Sequence, residues 1–274
     1  MSNTKPEPVV QEKPHLSASS INTYLTCPRK WKFRYIDKLS GPTGSNLIFG
    51  RAYHAAIEIV LKEKMDKGNE LLMPWDDTRF VFHENLNNEL DETDGEIKYN
   101  KGETPESMHA LGETMIKVWY EEIAPTLKPV AIEEKFVVSL GDDFPYELLG
   151  YIDLIEEGDI IVDHKTSKKR WAESKPGKEL QADVYLLAYY LKFGRAAREV
   201  RYDIITKGGP RSLPQAQQLS TTRTEPQLRW FIGLFEDVVY SIEKGAFPPD
   251  PAGFLCSPDW CEYYAVCKQK GGVR

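Results

Sequence analysis

The stretch that decides the fold is Leu148-Leu149-Gly150-Tyr151-Ile152-Asp153-Leu154-Ile155-Glu156-Glu157-Gly158-Asp159-Ile160-Ile161-Val162-Asp163-His164-Lys165. Two β-prone runs flank the turn signal Glu157-Gly158-Asp159, so the segment reads as a β-hairpin centred on Gly158. In that register Asp153 and Asp163 each lie five positions from the centre and oppose one another. Opposed residues of an antiparallel pair point to one face, with Cβ atoms about 5 Å apart. Two bare carboxylates there repel unless a divalent cation lies between them. The apolar runs they interrupt read as buried, where uncompensated charge costs more still. Lys165, two residues beyond Asp163, projects from the same face. Two acids and a lysine on one face are the grouping that metal-dependent phosphodiester hydrolysis needs.

Gln181 and Tyr185 stand four apart in an apolar segment, 179–193, that reads as a helix, so they share one face. Residues alone leave two readings open: a polar cap on a core helix, or groups reaching the acids. Taken together, Gly150-Tyr151-Ile152-Asp153, Asp163-His164-Lys165 and Gln181-x-x-x-Tyr185 resemble the second and third motifs of the PD-(D/E)XK nuclease superfamily. They are followed, as in its RecB/AddB-type branch, by a Gln-x-x-x-Tyr motif. CRISPR-adaptation nucleases share that branch, and the resemblance covers about 16–267.

The resemblance implies an α/β, restriction-endonuclease-like core, with a central mixed sheet flanked by helices. It implies a metal-activated water attacking DNA phosphate, with Asp153, Asp163 and Lys165 catalytic. Mg²⁺ or Mn²⁺ would be held by Asp153, Asp163 and the main-chain carbonyl of His164. Gln181 and Tyr185 would position the DNA strand. The family also expects an upstream histidine on a helix that begins with a glycine, and Gly50-Arg51-Ala52-Tyr53-His54 fits. By periodicity alone His54 shares a face with Ile57 and Leu61 and reads equally as a hydrogen-bonded core residue. The resemblance makes it a metal ligand. Glu133, in an expected strand over 131–140, is a candidate additional acid, while its neighbour Glu134 would face the other way.

Cysteine placement is the second signal. Cys27 stands alone, and Cys256, Cys261 and Cys267 cluster near the far end. Four cysteines in 274 residues are too sparse for a disulfide framework. The one-plus-three split resembles the iron–sulfur subgroup of the same family, which implies a [4Fe-4S] cluster held by all four thiolates. The spacing Cys256-x4-Cys261-x5-Cys267 departs from the family's shorter first gap, which keeps Zn²⁺ open as the alternative occupant. A link from Cys27 to the 256–267 segment closes nearly the whole chain into one loop and removes much disorder from the unfolded state.

A formal net charge of −7 is the wrong sign for a DNA partner, but the charges are not evenly spread. Acids concentrate over 84–106. Basic residues flank the motifs: Arg29, Lys30, Lys32 and Arg34 after Cys27, and Lys168, Lys169 and Arg170 after Lys165. Lys207 and Arg211 form a third group, and Lys268, Lys270 and Arg274 a fourth. Local stripes of charge set phosphate affinity, so Arg29, Lys30, Lys168, Lys169 and Arg170 are candidate DNA contacts.

Residues 1–15 are polar and proline-containing and read as a disordered tail before a single domain over 16–274. No apolar run suits a signal peptide or a membrane span, so the expected setting is cytoplasmic, bacterial or phage-encoded. No Gly-x-x-x-x-Gly-Lys-Ser/Thr loop occurs, and a helicase, recombinase or annealing partner would be another protein. The expected function is a metal-dependent nuclease of single-stranded DNA ends, an exonuclease of recombination, repair or phage DNA processing. The alternatives are a duplex endonuclease and a non-catalytic DNA-end-binding adaptor, although an adaptor has no need of both acids and Lys165.

Overall fold

The computed structural model describes residues 13–209 and 212–271. The chain opens with β1 (His15–Leu16), α1 (Ala18–Thr26) and α2 (Pro28–Tyr35). Ser17 and Ser20 form a capping box at the start of α1, and extended Cys27 followed by Pro28 breaks one helix and starts the next. β2 (Thr43–Gly44) leads into α3 (Ser45–Asp66), then α4 (Trp75–Asp91), β3 (Ile97–Lys98) and α5 (Pro105–Glu122). After these come β4 (Pro129–Ser139), β5 (Glu147–Glu156), β6 (Ile160–Ser167), α6 (Leu180–Phe193), β7 (Glu199–Thr206) and β8 (Ala216–Thr221). The chain continues through α7 (Glu225–Glu243) to α8 (Tyr264–Gln269).

The expected hairpin is present and centred on Gly158, with Glu156 opposite Ile160. Gly158 and Asp159 take φ of +82° and +60°, the left-handed conformations that a tight reversal requires and that glycine and aspartate tolerate best. Three readings need correction. The glycine that opens α3 is Gly44, in extended conformation at the N-cap, and Gly50 lies within the helix. The acidic, glycine-containing 91–103 segment reads by composition as an exposed loop, but it carries β3, which pairs in parallel with β2. The packed chain begins inside the segment read as a tail: His15 pairs with Glu147, whose N–H donates to the Pro14 carbonyl at 2.9 Å. The rest of that segment, residues 1–12, lies outside the described residues.

Six strands form one mixed sheet. β4 pairs antiparallel with β5 along nearly its whole length, β6 and β7 are parallel, and β8 closes the far edge. The other edge of β5 is divided. It pairs with β6 only over Leu154↔Val162, Ile155↔Ile161 and Glu156↔Ile160, and with β1 only at Glu147 and Leu148. Between these ladders β5 and β6 splay apart. One face of the sheet packs Ile152, Ile161 and Tyr202 against α1, α6 and α7; the other packs Leu154, Val162 and Ile205 against α3, α4 and α5.

Charge is buried on the second face. Arg201 bridges Glu156 at 2.7 Å and Asp203 at 2.8 Å, and Gln218 donates to Asp203 at 2.9 Å. Lys64 caps the turn after α5, donating to the carbonyls of Ala124, Pro125 and Leu127 at 2.7, 3.1 and 2.6 Å. Replacing Arg201 by Met strands two carboxylates beneath helices. The expected loss is about 3–5 kcal/mol, read as a lower guanidinium midpoint at unchanged slope; a wild-type midpoint contradicts it.

Candidate active site

The splay makes the site. Asp153 and Asp163 are next in register after Leu154↔Val162, yet the ladder stops before them. The Asp153 carboxylate instead accepts the His164 main-chain N–H at 2.9 Å. The expected direct pairing of the two acids is therefore corrected: the register is as read, but the strands diverge at that point.

Asp163 is only 1% exposed. Its Oδ2 lies 2.7 Å from Lys165 Nζ and its Oδ1 3.3 Å from the Tyr185 hydroxyl. That hydroxyl also reaches the Tyr151 carbonyl at 2.9 Å and accepts from Gln181 Nε2 at 2.7 Å. Having one proton, Tyr185 donates to either Tyr151 or Asp163 at a time. Of the two readings of the Gln181–Tyr185 face, the geometry gives the one that reaches the acids.

His54 Nδ1 is 3.3 Å from Asp153 Oδ2. Burial works against its charge, but the hydrogen bond and charge of Asp153 outweigh it and raise the imidazole. The carboxylates move in opposite directions. Burial raises Asp163, and the Asp153 charge adds to it against the opposing Lys165. Burial also disfavours ionised Asp153, but His54 overcomes this and holds it low. Such neighbours titrate as a pair.

Glu133 lies between Ile132↔Leu154 and Glu134↔Ile152 on the β4–β5 ladder, which sets it against Asp153. Its φ of +51° is uncommon for a residue with a side chain. Burial, then the charges of Asp153 and Glu58, push its carboxyl up to about 7. Glu134 turns away to pair with Lys192 on α6. Glu58 went unnoticed in the sequence, although it stands one helical turn beyond His54, a spacing that shares a face. The His164 ring is 2% exposed, edge-on to Trp119 at 6.1 Å, and burial pushes it down to about 4. It is a neutral core group, and only its peptide borders the acids.

The donor set, carboxylates with one imidazole, suits Mg²⁺ or Mn²⁺. The Asp153 charge adds to the raising of both Asp163 and Glu133, a repulsion that a cation would relieve. Among the described residues no three such side chains close round one point as a finished cage. Lys165 and His54 occupy the carboxylates instead.

The four cysteines, all free thiols, line one cavity of about 300 Å³ formed by the α1–α2 junction and the 249–267 segment. Burial raises the Cys267 thiol; Arg29 opposes this, and Cys27, Cys256 and Cys261 add to it. Two candidate DNA contacts serve this region. Arg29 Nε donates to the Phe247 carbonyl at 2.8 Å, and Lys30 pairs with Glu262 at 2.8 Å. Lys168, Lys169 and Arg170 are exposed beyond Lys165, with Arg170 donating to the Ala216 carbonyl at 3.4 Å. Arg211 and Arg274 lie outside the described residues.

The chain is similar to known proteins over nearly its whole length. It is 25% identical over 278 residues to the Gene 69 protein of Mycobacterium phage D29, covering 92% of this chain and 95% of the phage protein. Its fold is similar to the crystal structure of a "Putative exonuclease" from Eubacterium rectale, with a TM-score of 0.50 and 15% identity across 100% of both chains. Residues 15–268 match the family model for these nucleases, and the chain belongs to the PD-(D/E)XK nuclease superfamily.

Proposed function

We propose that the protein is a divalent-metal-dependent deoxyribonuclease that degrades single-stranded DNA from its ends. The observation that carries the reading is the Asp163–Lys165 contact at 2.7 Å, set where β5 and β6 separate and backed by Tyr185 and Gln181. An adaptor that only binds ends has no use for a buried acid and a lysine held this way.

Asp153, Asp163, His54 and the His164 carbonyl would hold Mg²⁺ or Mn²⁺, with Glu133 as the further acid. When bound, such an ion lowers the pKa of water and stabilises charge on the scissile phosphate. The chain supplies the rest. Asp163 and its neighbours keep Lys165 protonated against burial, so its ammonium stands ready to orient water and to offset charge gathering on the phosphoryl oxygens. Gln181 holds the Tyr185 phenol beside Asp163, and when its proton turns from the Tyr151 carbonyl to Asp163 it restrains one oxygen of that carboxylate. His54 restrains Asp153 in the same manner.

Four free thiols lining one cavity support a structural [4Fe-4S] cluster, with Zn²⁺ as the alternative occupant. A cluster there acts as a clasp, tying the α1–α2 junction to the 256–267 segment. A helicase, recombinase or annealing protein would supply the single-stranded end.

End-labelled linear single-stranded DNA should be degraded while circular single strands and blunt duplex survive; cleavage of circles would make the protein an endonuclease. Asp163→Asn and Lys165→Ala should each lower cleavage by on the order of 100-fold or more, with circular dichroism unchanged. Wild-type rates in either remove this site from the reaction. Activity should vanish in EDTA and return with Mn²⁺ at least as well as with Mg²⁺, and His54→Ala should weaken the metal response. Anaerobically purified protein should absorb near 400 nm, in the range of about 400 nm for thiolate-to-iron charge transfer, and carry iron that Cys27→Ala loses together with stability. Colourless protein with stoichiometric zinc overturns the cluster and leaves the hydrolytic site standing.

A further inference from the structure

We propose that the groove between α2, the start of α3, the β3 segment and residues 258–265 is the track for single-stranded DNA, with Trp260 and Tyr99 stacking on its bases. The proposal rests on the nuclease reading above and gives that enzyme its strand preference.

The groove encloses about 630 Å³. Trp260 is 63% exposed, Leu47 44% and Tyr99 36%, and all three line it. Scattered apolar residues in water need no explanation, but two aromatic rings and a leucine facing one concavity mark a binding surface. Exposed Arg34 and Lys98 line the same walls. Lys98 donates to the neutral Asp259 carbonyl at 2.9 Å, and among the described residues neither cation is matched by a carboxylate. Of the acids in the groove, Glu262 is neutralised by Lys30 at 2.8 Å, which leaves Asp259 exposed. Rings that stack on bases, set between unmatched cations, fit a single strand. A duplex keeps its base faces stacked inside and offers the rings nothing.

The groove is continuous with the catalytic strand. Asn46 lines it, and the Asn46 Oδ1 accepts from Lys207 Nζ at 2.7 Å. Lys207 packs over Phe49 at 4.7 Å, and its main-chain N–H donates to the Ser167 carbonyl at 2.7 Å. Ser167 is two residues beyond Lys165 on β6, about 7 Å along a strand. Lys207 thus links Asn46 of the groove to the strand that carries Lys165, with Glu103 beside its ammonium.

The test measures binding of fluorescein-labelled oligo(dT) in an Asp163→Asn background, so that the strand is not consumed. Trp260→Ala should weaken binding by roughly 5- to 150-fold, the range for losing one stacked base, and Trp260→Phe should restore most of it. Arg34→Ala and Lys98→Ala should each flatten the dependence of log affinity on log salt by about 0.7, while Trp260→Ala leaves that slope unchanged. With Asp163 intact, Trp260→Ala should hydrolyse the p-nitrophenyl ester of thymidine 5′-phosphate at the wild-type rate, because that substrate does not reach the groove. Unchanged oligo(dT) binding in the Trp260→Ala/Tyr99→Ala double variant overturns the proposal. So does an equal loss on blunt duplex. If wild-type protein neither binds nor cleaves oligo(dT), the nuclease reading fails first and the groove falls with it.

Discussion

The structure turns on a carboxylate buried where a sheet comes apart. Asp163 sits at 1% exposure just past the last β5–β6 ladder pair. Ending a ladder inside a protein frees main-chain donors and acceptors that must find partners. Two of the freed groups meet side chains of the candidate site: the His164 N–H meets Asp153, and the Tyr151 carbonyl meets Tyr185. Part of the cost of opening the sheet is thus met by residues proposed for the reaction. A continuous β5–β6 ladder would satisfy the backbone and leave no room at the acids for a phosphate.

This explains which parts were legible in the sequence. The hairpin register could be read because a period of two and a Gly158 turn allow one alignment only. The helix of Gln181 and Tyr185 could be read from its apolar segment, and α6 lies within the expected 179–193. The divergence of the strands could not, because it has no local code: Asp153 and Asp163 look like ladder partners until α6 delivers Tyr185 between the strands. Two-residue strands such as β1 and β2 carry no period at all. Glu133 and Glu134 face different ways, the first against Asp153 and the second to Lys192, and the φ of +51° at Glu133 is a feature that strand alternation does not predict. Glu58 was visible as one turn from His54 and was passed over because nothing local marks it as facing Glu133.

The ends of the chain depend on one another in a similar way. Cys27 ends one helix and begins the next, so its side chain is fixed by two elements. The 256–267 segment has one short helix and few apolar anchors, chiefly Tyr263 and Cys267 against Phe33. Lys30 holds this segment through Glu262, and Arg29 holds the Phe247 carbonyl on the approach to it. A region with so small a core would gain stability from a group bound by the four thiols, as proposed. Its wall also forms one side of the groove beside Trp260, so Cys261 lines both the cysteine cavity and that groove.

The net charge of −7 then ceases to conflict with a polyanionic substrate. Many cations are committed to internal acids or carbonyls: Arg201 to Glu156 and Asp203, Arg223 to Asp183, Lys64 to the turn after α5. Among the described cations that form no ion pair with a carboxylate, Lys168 and Lys169 lie beyond β6, Lys207 beside it, and Arg34 and Lys98 along the groove, while others such as Lys135, Arg198 and Lys244 lie elsewhere. Screening confines a charge's influence to about 8–10 Å at ordinary salt. Acids beside that path, such as Glu103 next to Lys207 and Asn100, act on it directly, whereas acids farther off than that screening length do little. Release of counterions from the phosphates depends on the few cations that touch them, not on the sum over the chain.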